Sequence, residues 1–234
     1  MIAVFKKEFK SYFMSPIGYI FVAVFMFLSS MPFTRGVLAT QTADIGAVFS
    51  EFSFLYLFLI SILTMKLFAE EKNKKTDQLL LTSPVSITEL VIGKYLSAMA
   101  VFGVTVVASF VYPAIMFMYA SPVLSEIIGS YIGFILLWGA LISIGVFVSA
   151  LTESQTIAGV FTFAILFVIY CMAWFESMVN IGFIRVILDW FAIFARYGEF
   201  QKGIVDIQSV VYYLSIIFVF LFLTIRVIDK RRYS

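Results

Sequence analysis

The chain has 234 residues, of which 62% are hydrophobic and only 13% charged, with 28 phenylalanines and no histidine. Soluble domains carry about 25% charged residues, so this composition excludes a soluble globule and points to an integral membrane protein. The net charge of +2 is small and spread over many loops, which does not suggest nucleic-acid binding.

Residues 2–14, IAVFKKEFKSYFM, place Ile2, Phe5, Phe9, Tyr12 and Phe13 near helical spacing, with Lys6, Lys7, Lys10 and Ser11 opposite. Basic residues beside aromatics suit an amphipathic helix lying in the membrane interface. Ser15-Pro16 should end it, because proline disfavours helix at the residue before it. The lysines precede an apolar run, as in a signal peptide. That run, Ile17 to Phe33, is uncharged and exceeds the roughly 7–15 apolar residues of a signal sequence, so a retained span is expected. A spanning helix needs about 20 mostly apolar residues. Six segments qualify, at about 17–34, 50–69, 95–119, 128–150, 156–175 and 208–225. Pro113 is expected to kink the third. Gly129, Gly133, Gly139 and Gly145 in the fourth read as close-packing positions rather than ligand sites. The single cysteine, Cys171, lies in an apolar run and reads as a packing residue.

Cytoplasmic loops are enriched in Lys and Arg. With an inside N-terminus, only Arg35, Arg185, Arg196 and Lys202 of the 16 Lys and Arg fall outside. Both termini are therefore expected in the cytoplasm. Between Glu176 and Ile207, charged residues alternate with apolar runs at 186–188 and 190–195 that are too short to span. They suit a re-entrant or interfacial hairpin before the sixth span. No linker separates two domains, so residues 1–234 read as one all-α transmembrane domain.

Without histidine there is no Ser-His-Asp triad, no histidine-ligated metal and no HExxH motif. No acidic residue sits in the middle of a span, which argues against an ion-coupled carrier. Gly93-Lys94 is followed by Tyr95, and no glycine stands before it at phosphate-loop spacing. The chain is thus not expected to be an enzyme. If ATP drives it, a separate subunit must supply the hydrolysis.

The longest polar stretch, residues 70–94, falls on the inside. Glu70 precedes Lys74 and Glu71 precedes Lys75 by one helical turn, the favoured orientation for ion pairs, so the second span should continue as helix through Lys75. The cluster Leu79-Leu80-Leu81 follows, and Ser83-Pro84 should break the helix. Ser86-Ile87-Thr88-Glu89 fits a capping box that starts a short helix. On the residues alone, this is either a compact cytoplasmic knob or a solvated connector.

This stretch resembles the loop after the second span in the ABC-2 type transporter permeases. The matching residues are Glu70-Glu71-Lys72, Thr76-Asp77, Leu79-Leu80-Leu81-Thr82-Ser83-Pro84, Ser86 to Leu90 and Gly93-Lys94. Lys75 departs from the pattern, standing where the family has glycine. Phe5-Lys6-Lys7-Glu8-Phe9 with Ser15-Pro16 is similar to the family's N-terminal elbow helix, here residues 1–16. Residues 200–206, FQKGIVD, and 211–215, VYYLS, look like the gliding-motility branch. The resemblance implies a six-span permease subunit of an ATP-driven exporter, with a cytoplasmic coupling helix after the second span. It implies an ABC ATPase subunit as partner, a second permease copy or homologue, and in this branch an auxiliary subunit with an external domain. ATP and Mg would sit on the partner, and no cofactor on this chain. The ATPase contact would fall on Glu70, Glu71, Thr76, Asp77, Leu79, Leu80, Pro84, Glu89 and Lys94, with Glu153 as a second contact. Substrate residues are not assigned, although the apolar character suits an amphipathic or lipid-like cargo. The family also includes membrane anchors or mechanical subunits of envelope complexes, which is the alternative reading. The expected location is the inner cell membrane.

Overall fold

A computed structural model describes residues 1–39, 44–75, 86–119, 121–176 and 193–232. Helix α1 (Ile2–Met14) ends at Ser15, which is extended, and Pro16 opens α2 (Pro16–Pro32) at a position where its missing N–H costs nothing. A π-helical turn, Phe33–Leu38, continues α2, so that one run covers residues 16–38. Asp44 then caps the short α3 (Ile45–Ser50), accepting from the Ala47 N–H at 3.0 Å. After a turn at Glu51 comes α4 (Ser53–Asn73). Further helices among the described residues are α5 (Ile87–Ser109), α6 (Val111–Tyr119), α7 (Leu124–Leu151), α8 (Gln155–Glu176), α9 (Tyr197–Gln201) and α10 (Ile207–Arg232). Among the described residues, six runs are long and apolar enough to cross a membrane: 16–38, 53–73, 87–119, 124–151, 155–173 and 207–230. They coincide with the six expected spans, so the chain is a multi-pass, all-α membrane protein.

Two boundaries differ from the expectation. The helix that Ser86 starts does not stop before the third span. Its side chain accepts from the Glu89 N–H at 3.2 Å, and the helix runs unbroken from Ile87 into the apolar segment. The second span ends earlier than expected. Helix α4 stops at Asn73, and Lys75 adopts a left-handed φ of 54°. Lys75 thus takes the conformation that glycine adopts without strain at a helix end. The expected continuous helix through Lys75 is not formed.

The third span breaks at Phe110, not within α6. Pro113 has no N–H to offer the Ser109 carbonyl four residues back. The Tyr131 hydroxyl, from α7, fills that vacancy by donating to the Ser109 oxygen at 2.9 Å. Sequence-distant packing therefore stabilises the kink.

Helix α7 is the hub. It packs against α4, α8, α9 and α10, and 78% of its apolar window is buried, against 17% for α8 and for α10. Its glycines make that possible. A Cβ on Gly145 would run into the Thr64 side chain of α4, and one on Gly129 would meet the Phe200 carbonyl. Gly133 receives the rings of Phe200 and Tyr197, which are 0% and 4% exposed. Close packing is thus the role of these glycines. An aromatic core surrounds Trp138, which stacks on Phe102 at 4.4 Å and meets Phe25 edge-on at 5.8 Å. Of the hairpin expected before the sixth span, residues 177–192 lie outside the described residues. The described remainder, including α9, is seated on the glycine face of α7.

Candidate functional site

The charged residues collect at one end of the bundle, where the chain leaves α4 and returns at α5. Lys94 is at the centre. Its side chain is 1% exposed and its ammonium group contacts Glu71 at 2.9 Å and Glu8 at 3.2 Å. It also donates to the Leu67 carbonyl at 2.5 Å. One cation therefore joins α1, α4 and α5. A buried ammonium requires this many oxygen partners, because removing it from water unpaired would cost several kcal/mol. Lys7 lies outside the triad, 3.5 Å from Glu71 and 3.7 Å from Glu8.

Helix α1 is positioned by the stripe Val4, Glu8 and Tyr12. A Cβ on Gly93 would come within 3.1 Å of Val4, so α1 and α5 approach closely at that glycine. Tyr12 is 0% exposed and donates to the Leu63 carbonyl at 2.6 Å. Burial, reinforced by the nearby Glu8 and Glu70 carboxylates, pushes its phenol well above the ordinary value and keeps it a donor. Of the face expected to be apolar, Tyr12 is buried in the core and Phe9 and Phe13 pack against it, as does Val4, while Ile2 is exposed; Glu8 is buried as well, so the packed side also carries a carboxylate. A glutamate among lysines at Val4-to-Tyr12 spacing was the available signal.

Of the expected contact residues, Glu70, Glu71, Glu89 and Lys94 are brought to this end. Glu70 accepts from Lys74 at 2.6 Å as expected, and this bond raises the Lys74 pKa. Glu71 turns inward to Lys94 and Lys7. Lys75, its expected partner, lies beyond the end of the helix. Glu89 receives the N-terminal ammonium of Met1 at 3.1 Å. Thr76, Asp77, Leu79, Leu80 and Pro84 lie outside the described residues. Glu153 is exposed in the turn between α7 and α8.

That turn is fastened to the same end of α4. Ser149 accepts from the N–H groups of Phe68 and Ala69 at 3.1 and 3.2 Å and donates to the Met65 carbonyl at 3.1 Å. Lys72 donates to the Ala150 carbonyl, where the dipole at the end of α7 favours a cation. Reading from sequence missed Glu8, Lys7, Tyr12 and Ser149 as members of this site. Among the described residues no group of three or more Cys, Asp or Glu side chains is arranged to hold a metal.

The chemistry available here is mechanical and electrostatic. The site joins α1, α4, α5 and the α7–α8 turn into one polar assembly beneath six apolar helices. Comparison with known proteins agrees with a transport role. The family model described as ABC-2 family transporter protein matches residues 2–228. No curated protein matches the chain. Since the family match covers nearly the whole chain, the protein belongs to the ABC-2 transporter family and is a membrane permease subunit of an ABC transporter.

Proposed function

We propose that the chain is the permease of an ATP-driven exporter, and that the polar end of the bundle receives the stroke of a separate ATPase. The observation carrying this reading is the Lys94 triad. The segment 76–85 leaves between two of its three members, so a force on that segment, or on α1, acts directly on Glu71 and Lys94. From Glu71 the force passes up α4. It then crosses to α7 through the Ser149 bonds and the Thr64–Gly145 contact, neither of which leaves slack. The ATPase contacts are Glu70, Thr76, Asp77, Leu79, Leu80, Pro84 and Glu89, with Glu153 as the second touching point. ATP and Mg are held by the partner. The lysine and arginine asymmetry supports a cytoplasmic position for this end and for both termini in the inner membrane.

Helices α8 and α10 flank α7 and are its least buried neighbours. The apolar cleft between them, about 490 Å³ and lined by Ile144, Ile165, Ile169, Tyr212, Ile216 and Phe220, suits an amphipathic cargo or the face of a second permease copy. An auxiliary external subunit would meet the opposite end.

The test is reconstitution of the permease with the ATPase that co-purifies in mild detergent. Replacing Glu70 and Pro84 together by alanine should leave the complex assembled. ATP hydrolysis should then no longer respond to lipid or cargo, with stimulation reduced about tenfold or more. Unchanged stimulation refutes the assigned coupling segment, and failure of any nucleotide-binding subunit to co-purify refutes the reading as a whole.

A further inference from the structure

Between α1, α4 and the first turns of α5 lies a polar cavity of about 270 Å³. Its walls carry four lysines, Lys7, Lys66, Lys74 and Lys94, against three glutamates, Glu8, Glu70 and Glu71. The carboxylates are already engaged. Glu8 and Glu71 hold Lys94 at 3.2 and 2.9 Å, and Glu70 holds Lys74 at 2.6 Å. Lys7 adds to the Glu8 and Glu71 pair. The remaining positive charge is Lys66. The residue is 7% exposed, and among the described residues no carboxylate stands within ion-pair distance of its ammonium, which feels Glu70 and Glu8 only at longer range. The ammonium lies over the face of the Tyr12 ring, 3.8 Å from the centroid.

A ring face satisfies part of an ammonium's requirement and leaves its N–H donors without oxygen. The stem of Lys66 is buried and its ammonium opens into the cavity, where an anion or water can complete it. The cavity it lines is larger than the roughly 30 Å³ of a single water and has room for several waters or a small polyatomic anion. Excess of a single positive charge over the carboxylates selects a singly charged anion. The site lies where the apolar part of α4 gives way to Glu70 and Glu71, the level at which lipid headgroups meet a spanning helix. Along α1 the Phe5 ring stacks on Phe9 at 5.9 Å and Phe9 meets Phe13 at a tilt at 5.0 Å, an apolar row on the same helix as Glu8 and Lys7.

We propose that this cavity is a phosphate-binding site in which Lys66, backed by the Tyr12 ring, holds one phosphodiester or phosphate group. The anion comes either from an anionic phospholipid headgroup or from soluble phosphate. Occupancy ties α1 to α4 beside the Lys94 triad. The proposal does not depend on the ATPase assignment and is tested on the permease alone.

The experiment is thermal unfolding of the purified full chain in a neutral detergent, titrated with dihexanoyl phosphatidylglycerol, inorganic phosphate, or chloride at matched ionic strength. The expected result is a saturable rise in Tm with the phosphatidylglycerol and not with chloride. An equal rise with inorganic phosphate identifies the soluble source. Lys66→Met should weaken the apparent affinity by about tenfold or more, and Lys66→Arg should retain it, since hydrogen bonds to charged groups carry that much binding energy. No rise above chloride with either phosphate probe, or an unchanged rise in Lys66→Met, overturns the proposal. If Lys66→Met does not fold, reductive methylation of the wild-type chain, read by mass spectrometry, decides. The probe should protect Lys66 while leaving Lys6 and Lys10 reactive. Lys66 labelling that neither probe changes also overturns it.

Discussion

Lys94 has two carboxylates and a carbonyl within reach, and almost no contact with water. Lys94→Met would leave Glu8 and Glu71 together without the buried ammonium between them, beside the exposed Lys7 at 3.7 and 3.5 Å. Removing one partner of a buried pair costs about 3–5 kcal/mol, because the other charge stays buried without compensation. The expected outcome is a marked fall in the unfolding midpoint of the detergent-solubilised chain. Adding Glu71→Gln should recover part of that loss by removing one of the stranded charges. In a double-mutant cycle the two changes should therefore be non-additive by about 1 kcal/mol or more. Additivity would show that Lys94 and Glu71 are neighbours without being coupled. The same logic explains why Glu70 and Glu71, adjacent in sequence, differ in character. Glu70 is 33% exposed and pairs with the exposed Lys74, whereas Glu71 is 14% exposed and holds the buried Lys94, although both line the same cavity.

At the scale of helices, the glycines divide into those that permit contact and those that do not. Gly145 faces Thr64 so closely that a Cβ cannot fit without displacing α4 from α7. Gly103, in the middle of α5, has open space where its Cβ would be. Glycine inside a helix costs roughly 1 kcal/mol relative to alanine. Gly103→Ala should therefore raise the unfolding midpoint, while Gly145→Ala should lower it, because overpacking costs about 1–3 kcal/mol. Thermal scans of the two variants side by side check this, and equal shifts of one sign would contradict the assigned contact. The sequence marked Gly145 as a packing position and made no assignment for Gly103. Only the neighbouring helix separates them, and helix–helix register is not a local property of sequence.

For the molecule as a whole, the six spans were legible because apolar length is a one-dimensional property, and the start of α5 was legible because a capping box acts over one turn. The centre of the site was not. Glu8 and Lys94 are 86 residues apart, and nothing local to either indicates the other. Lys75 was misread because a one-turn charge spacing cannot reveal that the backbone has turned left-handed there. Orientation in the membrane rests on charge asymmetry, and it makes a sharp prediction. Helix α7 has 28 residues and is about 42 Å long, enough to cross a bilayer, with Ser121 before its start and Glu153 after its end. If the lysine-rich end faces the cytoplasm, these two exposed positions lie on opposite sides. In a Cys171→Ala background, Ser121→Cys should react with a membrane-impermeant maleimide applied to spheroplasts. Glu153→Cys should react only after the membrane is opened. The reverse pattern would put the Lys94 triad outside, where no ATPase could reach it, and labelling of both from one side would mean that α7 does not span.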